Sequence, residues 1–167
     1  MLTAAALPVA SQAQGTWSTN PHPWPVHAIH MLLLPDQRIM IFNRSRDAAA
    51  ERDFNVATIP YPYDGPGQVI PGPMIDGQKR ELFCAGHTLD ENGDAIVAGG
   101  HWGPGPTFDR HGIADVWLFQ WQTDQWRRLS DMAHGRWYPT VIQLPDRTFM
   151  ASMGEYCDGP LGNCTIT

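Results

Sequence analysis

An all-β fold of repeated antiparallel sheets is predicted by three features: short apolar runs separated by turn residues, a recurring strand–turn–strand unit, and the even spacing of that unit. The 167 residues include 16 Gly, 15 Pro and 7 Trp. The Gly and Pro residues fall between apolar runs rather than in one tract. This distribution is typical of many short strands joined by turns.

The repeated unit is an apolar strand that runs into an acidic turn, and it occurs at 28–36, 83–91 and 138–146. Leu34, Leu89 and Leu144 mark the same point of each unit and follow one another at intervals of 55 residues. A second strand follows each turn, at 38–42, 94–98 and 148–152, and the middle copy ends in a Gly-Gly pair. A period near 50 residues with this content predicts a kelch-type β-propeller.

The outer half of the middle blade is predicted from a strand at 117–121, a turn at 122–125 and a strand at 126–129. Phe119 and Trp126 stand seven positions apart, with six residues between them, as an aromatic residue and a tryptophan do in kelch repeats. We therefore expect Trp117, Trp121 and Trp126 to pack within and between blades rather than to form a carbohydrate platform.

About three blades are expected, each a four-stranded antiparallel sheet. A closed propeller needs at least about four blades. The sequence thus predicts that 14–167 form the N-terminal blades of a truncated propeller, whose remaining blades belong to the same protein. The alternative is an open stack of blades with an exposed sheet edge.

The segment 1–13 is rich in Ala and apolar, with small residues at Ser11 and Ala13. It is interpreted as the remnant of a secretory signal cleaved after Ala13, and a disordered end is the alternative. The predicted location is secreted or periplasmic. No apolar run reaches the roughly 18 residues of a membrane span.

Charge argues against several classes of partner. Charged residues make up 17% of the chain, Lys79 is the single lysine, and the net charge is −6. A basic patch for nucleic acid or for an anionic membrane surface is therefore not expected, and small or neutral partners are favoured. The seven histidines show no zinc-motif spacing.

Two motifs begin consecutive innermost strands: Leu-Phe-Cys-Ala-Gly-His at 82–87 and Gly-Arg-Trp-Tyr-Pro-Thr at 135–140. Together they resemble the galactose oxidase and glyoxal oxidase family of copper-radical oxidases. The resemblance implies that Cys84 and Tyr138 are joined by a thioether and that the modified Tyr138 binds copper and holds a radical. It also implies oxidation of primary alcohols or aldehydes, with O2 reduced to hydrogen peroxide.

The family's remaining copper ligands, a tyrosine and two histidines, would lie in blades beyond Thr167, so the chain alone is expected to be inactive. Tyr156 occupies the place where galactose oxidase stacks a tryptophan over the thioether. His87, three residues after Cys84, is a candidate for a supporting role beside the site.

The repeat frame offers a geometric test of the proposed pair. With the three leucines aligned, Cys84 is level with Pro139 and Tyr138 is level with Phe83. Successive side chains of a strand point to opposite faces. Cys84 and Tyr138 would then face each other across the seam between their blades.

Cysteine spacing adds a weaker argument. Cys157 and Cys164 flank a turn-rich loop and are candidates for a disulfide in an exported protein. Cys84 would remain unpaired, either as a modified thiol or as a buried thiol that behaves as a small hydrophobe. The alternative function is a non-catalytic propeller that binds a glycan or a protein at its channel mouth, because propellers have many functions.

Overall fold

A computed structural model describes residues 21–43, 56–102, 111–157 and 164–166. These residues form strands and no helix, which confirms the all-β prediction. Within the same ranges, no helix is present that is long and apolar enough to cross a membrane. The predicted signal remnant at 1–13 lies outside the described residues.

The strands are short, mostly of two to four residues, and turns separate them. In chain order they are β1 (His30–Leu33), β2 (Ile39–Phe42), β3 (Val56–Ile59), β4 (Gln68–Ile70), β5 (Met74–Ile75), β6 (Gln78–Lys79), β7 (Gly86–Leu89), β8 (Ala95–Ala98), β9 (His101–Trp102), β10 (His111–Gly112), β11 (Val116–Gln120), β12 (Gln125–Arg128), β13 (Thr140–Gln143), β14 (Phe149–Ser152), β15 (Glu155–Cys157) and β16 (Cys164–Ile166).

Two four-stranded antiparallel sheets are the blades of a β-propeller. The first blade has the order β1-β2-β3-β4 and the second has the order β7-β8-β11-β12. The hairpin β13–β14 repeats the two inner strands of the preceding blades, and its strand β13 packs beside β7. The remaining pairs are β5–β6, β9–β10 and β15–β16. The predicted propeller architecture is thus present.

The inner hairpin of each blade turns in the same way, but the predicted even spacing of 55 residues is wrong by one position. The N–H groups of Leu34, Asp90 and Leu144 each donate to the carbonyl four residues later, over 2.8 Å in all three turns. Asp90, rather than Leu89, is therefore equivalent to the two leucines. The innermost strands accordingly begin at His30, Gly86 and Thr140.

The one-residue offset of the middle turn has a local cause in the hydrogen bonds of that turn. Asp90 begins that turn, and its carboxylate accepts hydrogen bonds from the N–H groups of Asn92 and Asp94, each 2.8 Å long. In the other two turns an aspartate two residues later fills this role, as Asp146 does when it accepts from the N–H of Thr148 at 3.0 Å. Aligning the leucines therefore shifts the middle blade by one residue.

The side chains of β8, in the second blade, point alternately into two hydrophobic cores, one on each side of the blade. In β8, Ala95 and Val97 belong to the cluster shared with the first blade, whereas Ile96 and Ala98 belong to the cluster shared with β13–β14. This is the two-residue period of a strand with both faces buried. We call the cluster with the first blade the first seam and the cluster with β13–β14 the second seam.

The predicted packing role of the tryptophans agrees with the structure. Trp117 is 3% exposed in the first seam, and Trp121 and Trp126 are half-buried against it. The indole N–H of Trp126 donates to the carbonyl of Pro71 at 3.0 Å, and its ring lies 5.0 Å from that of Phe119. These three rings therefore pack within and between blades.

Glycine permits the close approach of backbones in the second seam. A Cβ atom on Gly86 would lie 2.5 Å from the carbonyl oxygen of Pro139 and 2.7 Å from a methyl carbon of Val141. Gly99, in the Gly-Gly pair, has a φ of 76°, and a Cβ there would lie 2.5 Å from the carbonyl oxygen of Arg136. The chain from Arg136 to Val141 can therefore run directly against the second blade.

Candidate redox site

Cys84 lies in a tight turn that leads into β7. The N–H of Ala85 donates to the carbonyl of Leu82 at 3.0 Å, which closes the turn and puts Cys84 in its third position. Cys84 has a φ of 66° and is fully buried. A positive φ at that position normally favours Gly or Asn, so cysteine is an unusual occupant.

Tyr138 is the equivalent residue of the next blade. It precedes β13 by two positions, as Cys84 precedes β7, and its φ is 60°. Sequence alignment on the leucines instead made Cys84 level with Pro139, and that detail was wrong. The strand period does not govern these two residues, because both precede their strands in the left-handed conformation.

Cys84 and Tyr138 are two of eight described residues other than Gly that have a positive φ, and Gln37 and Arg147 form another such pair in the hairpin turns. Such a conformation costs about 1–3 kcal/mol for each residue and persists only where the surrounding structure holds it. Observed strain of this kind is often found at functional sites. Neither φ angle could be inferred from the motifs, since both residues disfavour that region.

The Cys84 and Tyr138 side chains meet across the second seam. The N–H of Tyr138 donates to the carbonyl of Cys84 at 2.8 Å, which joins the two backbones. The Tyr138 hydroxyl is hydrogen-bonded to the Cys84 thiol; this bond, together with partial burial, raises the pKa of Tyr138 to about 12. The Cys84 thiol is thus in contact with the hydroxyl end of the Tyr138 ring.

The surroundings of Tyr138 are aromatic on two sides and open on another. Its ring lies 5.0 Å from that of Trp137 and 6.5 Å from that of Phe83, in tilted and edge-on arrangements. Tyr138 is nevertheless 54% exposed. The phenol is therefore accessible from one side while the Cys84 thiol behind it is enclosed.

Sequence reasoning missed His30 as a site residue. This first residue of β1 accepts a hydrogen bond at its Nε2 atom from the N–H of Cys84, over 3.0 Å. Burial, with a smaller effect from His87, lowers the pKa of His30 to about 4, which keeps the ring neutral. A histidine at the first position of an innermost strand, where the other blades have Gly86 and Thr140, was the available signal.

His87 was predicted to support the site, and the structure places it against His30. The two imidazole rings lie 5.4 Å apart, and the ring of Phe42 lies 5.3 Å from that of His87. Burial lowers the pKa of His87, although the carbonyls of Ala85 and Met31 oppose the effect. His87 therefore reaches the Cys84 turn in two ways, through its ring contact with His30 and through the carbonyl of Ala85.

The other predicted residues lie on the β15–β16 pair. Cys157 and Cys164 are directly opposed in its register. Directly opposed antiparallel residues have Cα atoms roughly 4.5–5.5 Å apart, which lies within the range for a disulfide. Tyr156 follows Glu155, whose backbone exchanges hydrogen bonds of 2.9 and 2.8 Å with Trp137. The strand that carries Tyr156 is thus attached to the residue before Tyr138.

One predicted copper ligand, the oxygen of Tyr138, lies among the described residues. Within the described ranges, no group of three or more His, Cys, Asp and Glu side chains is arranged to hold a metal ion. A phenol oxygen is a ligand that copper accepts, alongside nitrogen. The residues present therefore fit one position of a copper site.

Comparison with solved structures finds a fungal alcohol oxidase of the AA5 family, described as having catalytic diversity within that family and as being in complex with copper. The two chains are 16% identical, the TM-score is 0.56, and the match covers 86% of this chain and 31% of the oxidase. This similarity shows the β-propeller fold. No protein-family model and no curated protein sequence matches the chain.

Proposed function

We propose that this chain carries the cysteine and tyrosine of a copper-radical oxidase that acts on primary alcohols or aldehydes and reduces O2 to hydrogen peroxide. The observation that carries the proposal is the contact between the Cys84 thiol and the Tyr138 hydroxyl across the second seam. The two strained φ angles and the likeness to a copper alcohol oxidase support it. We further propose that the protein is exported.

The proposed modification joins the Cys84 sulfur to a ring carbon ortho to the Tyr138 hydroxyl. One hydrogen leaves the thiol, one leaves the ring, and O2 accepts both hydrogens and two electrons as hydrogen peroxide. Copper, when bound, would supply one-electron redox chemistry to this reaction and to substrate oxidation. The other ligands would come from blades of the same protein outside these 167 residues.

The chain's own residues would prepare the phenol. The raised pKa keeps Tyr138 protonated in the metal-free protein, so its proton must leave when the oxygen becomes a ligand. Replacing the thiol by a thioether removes the hydrogen bond that holds this proton. The modification would therefore make Tyr138 easier to ionise, and its open side would give substrate access to the oxygen.

Intact mass and thiol counting test the proposal. After exposure to Cu²⁺ in air, the protein is denatured, reduced and alkylated, because reduction opens a disulfide but not a thioether. The wild type should lack two hydrogens and carry two alkyl groups, on Cys157 and Cys164. Cys84→Ser should carry two alkyl groups without the hydrogen loss, and Tyr138→Phe should carry three. Because this chain alone supplies one copper ligand, the deciding sample is the full-length protein: a Cys84 that is still alkylated there after copper treatment would contradict the proposal.

A binding module is the second candidate, and the exposed face of Tyr138 between Trp137 and Phe83 favours it. Aromatic faces of this kind can take the apolar face of a glycan. This function needs Tyr138 but not the Cys84 sulfur. Binding of an oligosaccharide that Cys84→Ser leaves unchanged and Tyr138→Ala abolishes would favour it.

A further inference from the structure

We propose that His30, from the first blade, is a positioning residue that holds the Cys84 backbone in the left-handed conformation and so presents the thiol to Tyr138. The inference deepens the proposed function, because it rests on the same pair of side chains. The two motifs place the site on the second blade and the β13–β14 hairpin, and His30 adds a contribution from the first blade.

The hydrogen-bonding needs of the Cys84 turn are the first argument. The turn's internal bond uses the N–H of Ala85 and the carbonyl of Leu82, while the carbonyl of Cys84 accepts from Tyr138. The N–H of Cys84 points instead to Nε2 of His30, 3.0 Å away. Because buried backbone donors need an acceptor, this bond favours the one orientation of the turn that directs the N–H toward the first blade.

The fixed orientation of the His30 ring is the second argument. The ring is stacked on Phe42, with centroids 4.8 Å apart and planes inclined by 14°, and His87 packs edge-on against it at 5.4 Å. Phe42 is fully buried in the first seam. An acceptor fixed by packing can select a backbone conformation that a mobile side chain cannot.

The protonation state of His30 agrees with this role. An imidazole accepts a hydrogen bond only when it is neutral, and acceptance at Nε2 leaves the proton on Nδ1. Burial and the neighbouring His87 keep His30 neutral, with a pKa of about 4. The acceptor is therefore available at neutral and mildly acidic pH.

Two substitutions separate the acceptor from the ring. His30→Phe retains an aromatic ring for the stack on Phe42 and removes the acceptor. His30→Gln removes the ring and places an amide oxygen within reach of the Nε2 position. His27→Phe, on the exposed segment before β1, is the control for adding a phenylalanine nearby.

The primary measurement is hydrogen exchange of the Cys84 amide by NMR in the reduced, metal-free protein, with the amide of Val97 in β8 as the reference for overall stability. We expect exchange at Cys84 to accelerate about tenfold or more in His30→Phe, relative to Val97, as for the loss of one buried hydrogen bond. His30→Gln and His27→Phe should remain within about threefold of the wild type. The Cys84 amide shift should also titrate with His30 in the wild type and in His27→Phe, and not in the two His30 variants.

The outcomes distinguish this inference from the proposed function, since the exchange measurement needs no copper. Wild-type exchange at Cys84 in His30→Phe would overturn the positioning role. If His30→Phe does not fold, His30→Gln decides: slow exchange supports the role, and fast exchange with an unchanged Val97 overturns it. Thioether formation, measured separately in the full-length protein, should be slowed by His30→Phe and restored by His30→Gln; its absence in the wild type would contradict only the proposed function.

Discussion

The two seams of this protein join blades in different ways. The first seam is filled by large side chains, among them Phe42, Met40 and Phe119, all fully buried. The second seam contains a smaller set around Ile96, Leu118 and Val141, and glycines bring its backbones together.

Each kind of seam suits a different task. Large apolar side chains gain more from burial, roughly 25 cal/mol for each Å² removed from water, so the first seam supplies most of the cohesion. Backbone contacts fix relative position more directly than mobile side chains do. The second seam therefore holds Cys84 beside Tyr138, and His30 connects the two seams by stacking in one and accepting a hydrogen bond from the other.

Truncating two neighbouring residues of β11 should give the largest losses of stability. The two losses compare how much each seam contributes to the free energy of unfolding. Phe119 faces the first seam and Leu118 faces the second. We expect Phe119→Ala to lower the free energy of unfolding by about 3–5 kcal/mol and Leu118→Ala by about 2–3 kcal/mol. Urea denaturation measures both changes. Equal losses would show that the seams contribute equally to cohesion.

Adding one carbon to the second seam should have a smaller effect on stability and a specific effect on the site. Gly86→Ala would push Pro139 and Val141 away from β7, at a cost of about 1–3 kcal/mol. The matched control is Gly65→Ala, where a Cβ meets nothing within 4 Å. It should be neutral or stabilise by up to about 1 kcal/mol.

The site readout for Gly86→Ala is the ionisation of Tyr138, followed by ultraviolet absorption against Tyr138→Phe. The displaced hairpin should weaken the bond to the Cys84 thiol and lower the pKa of Tyr138 from about 12 toward its ordinary value of 10.0. An unchanged pKa in a destabilised Gly86→Ala protein would show that side chains, rather than the backbone contact, hold the pair together.

Acid should weaken the connection that His30 makes between the two seams. We expect a smaller effect on stability than from the β11 truncations or from Gly86→Ala. The pKa of His30 is lowered in the folded protein from 6.5 to about 4, so the unfolded chain binds more protons between these values. Stability should therefore fall as the pH drops from 6.5 toward 4 and should not depend on His30 above that window. Burial shifts the pKa of His87 in the same direction.

Urea midpoints at pH 7.5 and 4.5 measure this acid sensitivity. The midpoint of the wild type should be lower at pH 4.5, and the difference should be reduced in His30→Phe, which has no group to protonate at this position. The same difference in both proteins would show that groups other than His30 cause the acid sensitivity.

The repeated pattern of apolar runs and turns was sufficient to predict the fold. Strand β2, predicted at 38–42, lies at Ile39–Phe42, and the packing of Trp117 followed from its place in a blade strand. Such features depend on local alternation and on burial of large rings, which neighbouring residues specify. The motifs also singled out Cys84 and Tyr138, whose role stays a proposal.

Docking of the blades decided what the sequence left open. The left-handed φ angles of Cys84 and Tyr138 and the bond from Cys84 to His30 became visible only in three dimensions. His30 and Cys84 are 54 residues apart in sequence. No local pattern encodes such a contact, because the conformation of the turn is held by acceptors and donors that neighbouring blades provide.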